Sequence, residues 1–258
     1  MSPVERELFL VAAGGLAGLV GTAGGITSLV SYPALLLAGI APLQANVANI
    51  VSVVACWPGS AVASRPELAG RGGWLRRWAV VAALGGTAGA VLLLVTSAGV
   101  FGRVVPFLVV AGALALLLQP RIAAWQGRRQ GRRRAPGRGS ALLLPAGVFV
   151  LSVYNGYFGA GSGVLLLALL LLTAEPDLAT ANALKNMVVG AAAITSAVLF
   201  AVFAHVDWTA VAPLAAGMFG GSLAGPRVAR RLPSGLLRWL VALTGLALAA
   251  WLWFDPAG

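Results

Sequence analysis

The sequence predicts an all-α, polytopic membrane fold of two inverted five-segment repeats, with re-entrant or half-helix hairpins broken at Gly-rich stretches. Three observations predict it. First, the 258 residues are 59% hydrophobic and only 10% charged, with a mean hydropathy of +0.91. Soluble domains carry about 25% charged residues, and a water-soluble fold of this size could not hide so much apolar surface, so the bilayer is the solvent that fits. Second, short stretches of the first half recur in the second at a nearly constant offset. Third, Lys and Arg cluster in a few gaps, as orientation signals do.

The apolar runs fall at roughly 7–20, 26–40, 44–64, 74–96 and 104–119, and again at roughly 141–155, 163–173, 178–204, 208–226 and 236–254. These bounds divide the chain into a membrane repeat over 1–119, a basic cytoplasmic linker over 120–140 and a second membrane repeat over 141–258. A spanning helix needs about 20 residues. The first two runs of each half, about 10–15 residues or some 15–22 Å as helix, suit half-helices that enter the membrane and turn back. The amino-terminal Glu5, Arg6 and Glu7 make a poor signal-peptide flank, so the first run is expected to be retained.

Gly18-Leu19-Val20-Gly21-Thr22-Ala23-Gly24-Gly25 matches Gly156-Tyr157-Phe158-Gly159-Ala160-Gly161-Ser162-Gly163 at an offset of 138. Asn46 and Ser60 match Asn182 and Ser196 at 136, and Gly85-Gly86-Thr87 matches Gly220-Gly221-Ser222 at 135. Fifteen of the 18 basic residues lie after the third run, in the linker, and between the ninth and tenth runs. Placing all three gaps in the cytoplasm puts both termini outside and makes the halves inverted: Arg65, Arg71, Arg76 and Arg77 follow the third run, while its counterpart, the eighth, is followed by uncharged Ala204 and then His205 and Asp207. Arg6 and Arg103 are single exceptions. Inverted repeats are a transporter architecture.

The Gly-rich breaks, Gly21, Thr22, Gly24 and Gly25 in one half and Gly159, Gly161, Ser162 and Gly163 in the other, each open a short apolar segment. The first N–H groups of such a helix have no intrahelical partner and attract anions; the alternative is that the glycines serve only packing and turning. Asn46, Asn49, Ser52 and Cys56 fall on one helical face, ahead of Pro58, which should kink the helix. Asn182, Lys185, Asn186 and Ser196 form the matching stripe, for which interhelical hydrogen bonding competes with substrate contact. Lys185 is the sharpest residue: an intramembrane lysine usually marks a pathway or bound ion, and no acidic residue of its own helix pairs with it. Its alternative is snorkelling to the cytoplasmic surface. His205 and Asp207 suit a solvated turn, with proton relay as a second role. Trp57, Trp74, Trp78, Trp208, Trp239, Trp251 and Trp253 lie mostly near run ends, as interfacial belts do, and the linker arginines could meet anionic lipid headgroups.

Other chemistries lack their residues. One histidine, one cysteine and seven carboxylates form no metal-ligand cluster and no disulfide framework. No nucleophile triad or phosphate-binding loop occurs, so no enzyme activity and no cofactor are expected. The net charge of +11 sits in short gaps between apolar runs and does not indicate nucleic acid. The expected partners are a small anionic substrate and membrane lipid.

Gly24-Gly25 through Pro33, Gln44-Ala45-Asn46 with Asn49, Trp57-Pro58-Gly59-Ser60 and Glu67 to Gly70 resemble the first repeat of the TauE/SafE sulfite exporter family. Tyr157 to Gly163, Ala181-Asn182-Ala183-Leu184-Lys185-Asn186, Gly220 to Gly225, and Arg227 with Arg230-Arg231-Leu232-Pro233 resemble the second. The resemblance covers essentially the whole chain, although the first break is less Gly-rich than in many relatives. It implies a bacterial cytoplasmic-membrane permease or exporter for sulfite, organosulfonates or other sulfur-containing anions. An anion channel with the same walls, or a non-transporting subunit of a membrane complex, are the other functions compatible with the sequence.

Overall fold

A computed structural model describes residues 1–130 and 138–229. They form eleven helices: α1 (Pro3–Gly24), α2 (Thr27–Leu37), α3 (Pro42–Val53), α4 (Cys56–Ala63), α5 (Arg65–Leu68), α6 (Gly72–Leu94), α7 (Ala98–Gln130), α8 (Arg138–Tyr157), α9 (Ser162–Thr173), α10 (Leu178–Phe203) and α11 (Trp208–Ala229). Among these residues, five helical segments are long and apolar enough to cross a membrane: Pro3–Gly24, Pro42–Ala63, Gly72–Leu94, Ala98–Leu118 and Leu178–Phe203. The burial pattern suits lipid. Asn46, Asn49, Ser52 and Ser196 are fully buried, while Val80, Leu84, Phe107, Val198 and Phe203 face outward. With no water outside, polar groups must find partners within the protein.

One expectation is corrected. The first run of the first half is not a half-helix: α1 has 22 residues, ~33 Å, and is apolar enough to cross a membrane; its glycines stay helical, as Gly does in membrane helices whose neighbours pack on them. The apolar part of α8, Leu142–Tyr157, is shorter, as are α2 and α9 with 11 and 12 residues. α7 continues to Gln130 and α8 begins at Arg138, so helix enters the 120–140 segment from both ends. The linker arginines, the tenth run with Trp239, Trp251 and Trp253, and Arg230, Arg231 and Arg238 lie outside the residues whose side chains are described. The expected kink near Pro58 is present as the break between α3 and α4. Pro58 has no N–H for the Val54 carbonyl, which instead accepts from Trp57 N–H at 3.1 Å.

Helices pair across the halves. α1 packs along α11, and α6 packs along α8. Both pairs run parallel: Gly14 and Gly18 of α1 lie against the backbone of Leu214 and Met218, and Gly85 and Gly89 of α6 against Phe149 and Val153. At Gly18 the approach leaves no space for a Cβ, which would fall onto Met218 backbone. Such small-residue seams let backbones touch where lipid supplies no hydrophobic drive.

Ion pairs tie the ends. Arg6, at the start of α1, bridges Asp207 before α11 at 3.0 Å. Arg71, before α6, bridges Glu175 before α10 at 2.5 Å. The early turns of α10 meet the last turn of α1, so the two pairs lie at opposite ends of the bundle. Partial burial pushes the Asp207 carboxyl up, but hydrogen bonds from Thr209, Arg6 and Ala210 outweigh it and hold it below the usual carboxylate range. Asp177 caps α10, and the hydrogen bonds it accepts from Thr180 hold its carboxyl low as well.

Candidate functional site

The two Gly-rich breaks meet. α1 runs helically through Gly21 and Thr22 and leaves the helix at Gly25, whose φ of 81° is left-handed. Gly has no steric penalty in that region. The second break covers Phe158 to Gly161, with Gly159 at φ 82° and Gly161 at φ 75°. Tyr154 holds it by donating its hydroxyl to the Ala160 carbonyl at 2.7 Å. Ser162, the first residue of α9, donates to the Gly159 carbonyl at 2.8 Å and to Asn155 Oδ1 at 2.9 Å. Gly25 then lies directly against Gly163, its counterpart at the 138 offset, and a Cβ on either would enter the backbone of the other.

Around this contact lies a small cavity that opens at a mouth. Of the expected site residues, Gly21, Thr22, Gly25, Gly159, Ser162, Gly163, Lys185 and Asn186 line it. The backbone N–H groups of Thr27, Ser28 and Gly163, at the starts of α2 and α9, have no hydrogen-bond partner among the described residues. Lys185 is 1% exposed, so it does not snorkel; its Nζ reaches the Gly21 carbonyl at 3.3 Å.

Asn46, Asn49 and Asn182 support the cavity from behind, and Asn186 does so as well as lining it. Asn182 and Asn186 both donate to the Thr22 carbonyl, at 2.9 and 3.0 Å. A helix end buried in the protein exposes carbonyls that water cannot serve; here α10 serves those of α1. The converse holds in the other direction, where Asn46 of α3 donates to the Tyr157 carbonyl at the end of α8, at 2.8 Å. Asn49 donates to Ser28 Oγ at 3.0 Å and accepts from Ser31, which orients the lining Ser28. Gly24, Asn46, Asn49, Gly161 and Asn182 are not on the cavity wall. Losing Asn182 or Asn186 alone is expected to lower stability by about 1 kcal/mol, since the other still serves Thr22. The double alanine variant leaves that carbonyl orphaned and should lose about 3 kcal/mol, more than the sum, read as thermal unfolding in detergent.

Sequence reasoning missed Ser28, Asn155, Phe158 and Trp57 as lining residues. Trp57, read as an interfacial residue, lays its indole on Gly190. The spacing of Trp57 four residues beyond Val53, on the polar face that carries Cys56, was the available signal. Among the described residues no group of His, Cys, Asp and Glu could hold a metal ion.

Residues 8–252 match the family Sulfite exporter TauE/SafE. The chain belongs to the TauE/SafE family. It is similar to a probable membrane transporter protein, ORF9, of Sinorhizobium sp., at 27% identity over 252 residues covering 96% of this chain and 92% of the relative. No solved structure matches it significantly. This TauE/SafE chain is a membrane transporter rather than an enzyme.

Proposed function

We propose that the protein is a secondary transporter that carries a small sulfur-containing anion, such as sulfite or an organosulfonate, across the bacterial cytoplasmic membrane by alternating access. The observation that carries the proposal is the contact of Gly25 with Gly163 beside the buried Lys185. Two helix starts with unpartnered N–H groups and one ammonium then converge on one cavity, and each favours negative charge. Lys185 supplies the full charge. The N–H groups of Thr27, Ser28 and Gly163 cradle the oxygens, while Ser28, Ser162, Asn155 and Asn186 give the remaining polar wall.

The halves are inverted repeats with both termini outside. Supporting this, each half lends an asparagine to the broken helix of the other, Asn46 to α8 and Asn182 to α1, and the cross-half helix pairs run parallel, as the charge-based topology requires. Single cysteines placed at positions 103 and 130 are expected to react with an impermeant thiol reagent from opposite sides; labelling from one side would refute the topology.

Purified protein in liposomes is expected to move sulfite or a short alkylsulfonate at carrier rates. Flux far above carrier turnover would make it a channel. No flux of sulfite, sulfonates or thiosulfate would make it a non-transporting subunit.

A further inference from the structure

We infer that the cavity is a single-charge site, selecting monoanions with a small apolar substituent over dianions of the same size. The inference deepens the transport proposal above and rests on it. Among the described residues, Lys185 is the one charged side chain on the cavity wall. The other described basic side chains, such as Arg65, Arg76 and Arg103, sit outside the wall, and the nearest acids along the chain, Glu175 and Asp177, precede α10.

Charge balance decides what such a wall can hold. A monoanion opposite Lys185 makes a neutral pair, whose remaining oxygens the hydroxyls and free N–H groups can serve. A dianion in the same place leaves one net negative charge buried in a membrane interior with no second cation. An uncompensated buried charge is strongly unfavourable, and hydrogen bonds from neutral donors only partly offset it. The wall also carries more than donors. Ile50, Val53, Phe158 and Val189 line it too, and an oxygen turned toward them would lose its hydration without a partner. A methyl or methylene group in that position loses nothing and gains burial. The repeat sharpens the contrast, because Ile50 stands at the 136 offset from Asn186 and both face the cavity. At that position the two halves differ, whereas Val53 and Val189, related by the same offset, are apolar in both.

Methanesulfonate and sulfate test this directly, since they differ by a methyl group in place of one charged oxygen. Binding to the detergent-solubilised full chain, measured by calorimetry at fixed ionic strength, is expected to favour methanesulfonate by roughly 100-fold. A preference of tenfold or more supports the single-charge site. A smaller preference, or tighter sulfate binding, overturns it while leaving the transport proposal standing if liposome flux of sulfite is present. Binding of neither anion overturns it as well, and absent flux then removes the transport proposal with it. Asn186→Lys adds a second cation to the wall and should narrow the preference at least tenfold. An unchanged preference in a folded N186K protein would show that charge count is not the cause. If N186K does not fold, the wild-type comparison alone decides.

Discussion

Lys185→Ala is expected to reduce anion binding by about 100-fold or more and to leave the protein at least as stable as before. The two effects have opposite signs for one reason. Lys185 is 1% exposed and has no carboxylate beside it among the described residues, so its charge is compensated only by the Gly21 carbonyl at 3.3 Å and by whatever anion enters. Removing the partner of a buried charged ligand typically loses ~2–5 kcal/mol of binding. The fold, by contrast, is relieved of an ammonium held away from water. The Gly21 carbonyl is not orphaned by the change, since the Gly25 N–H still donates to it at 2.6 Å. Calorimetric titration and a thermal melt of the same preparation measure both quantities. Retained binding in a folded variant would remove Lys185 from the anion site, and a large drop in melting temperature would make it a structural brace for the end of α1.

Gly25→Ala should damage the fold rather than the chemistry, by about 3 kcal/mol or more. Two terms add. The residue has a φ of 81°, which a side chain tolerates poorly. The new Cβ also meets Gly163 backbone, which cannot rotate away as a side-chain tip would. Gly163→Ala makes the reciprocal clash and lacks the left-handed φ, so it should be the milder of the two. Combining them gains nothing, because each Cβ enters the other's backbone. By comparison, Gly24→Ala meets nothing within 4 Å and should be nearly neutral, although Gly24 sits in the same short motif. Melting temperatures of the three variants in detergent rank them; a harmless Gly25→Ala would mean that the breaks do not touch.

The parts of the structure legible in the sequence are those set by local chemistry. Apolar runs dictated membrane helices, Pro58 dictated the α3–α4 break, and the spacing of Asn46, Asn49, Ser52 and Cys56 dictated one buried face. The glycine doublets pointed to the breaks but overstated their extent. Gly21 and Gly24 look like interruptions in sequence, yet α1 continues through both, with Gly21 packed against Thr27 of α2 and Gly24 facing open space. The functions of the asparagines were less legible. A buried amide near a helix break can face a ligand or serve the carbonyls of that break, and only the tertiary placement of α10 against α1 assigns Asn182 to the second task. Ser28 and Asn155 escaped because nothing in their own helices distinguishes them, and Trp57 because an indole near a run end suits an interface equally well. They line the cavity by virtue of where three other helices lie.

The seam between α1 and α11 bears on how the chain is made. Its partners, Gly14 with Leu214 and Gly18 with Met218, are separated by 200 residues of sequence. At ribosomal speeds of ~5–20 residues per second, α1 waits roughly 10–40 s in the bilayer before α11 is synthesised. Through that interval its glycine face is open to lipid or to another membrane helix. Assembly of the first half therefore cannot finish before the second emerges, and a chain truncated before Trp208 should be a substrate for membrane quality control rather than a small folded half-protein.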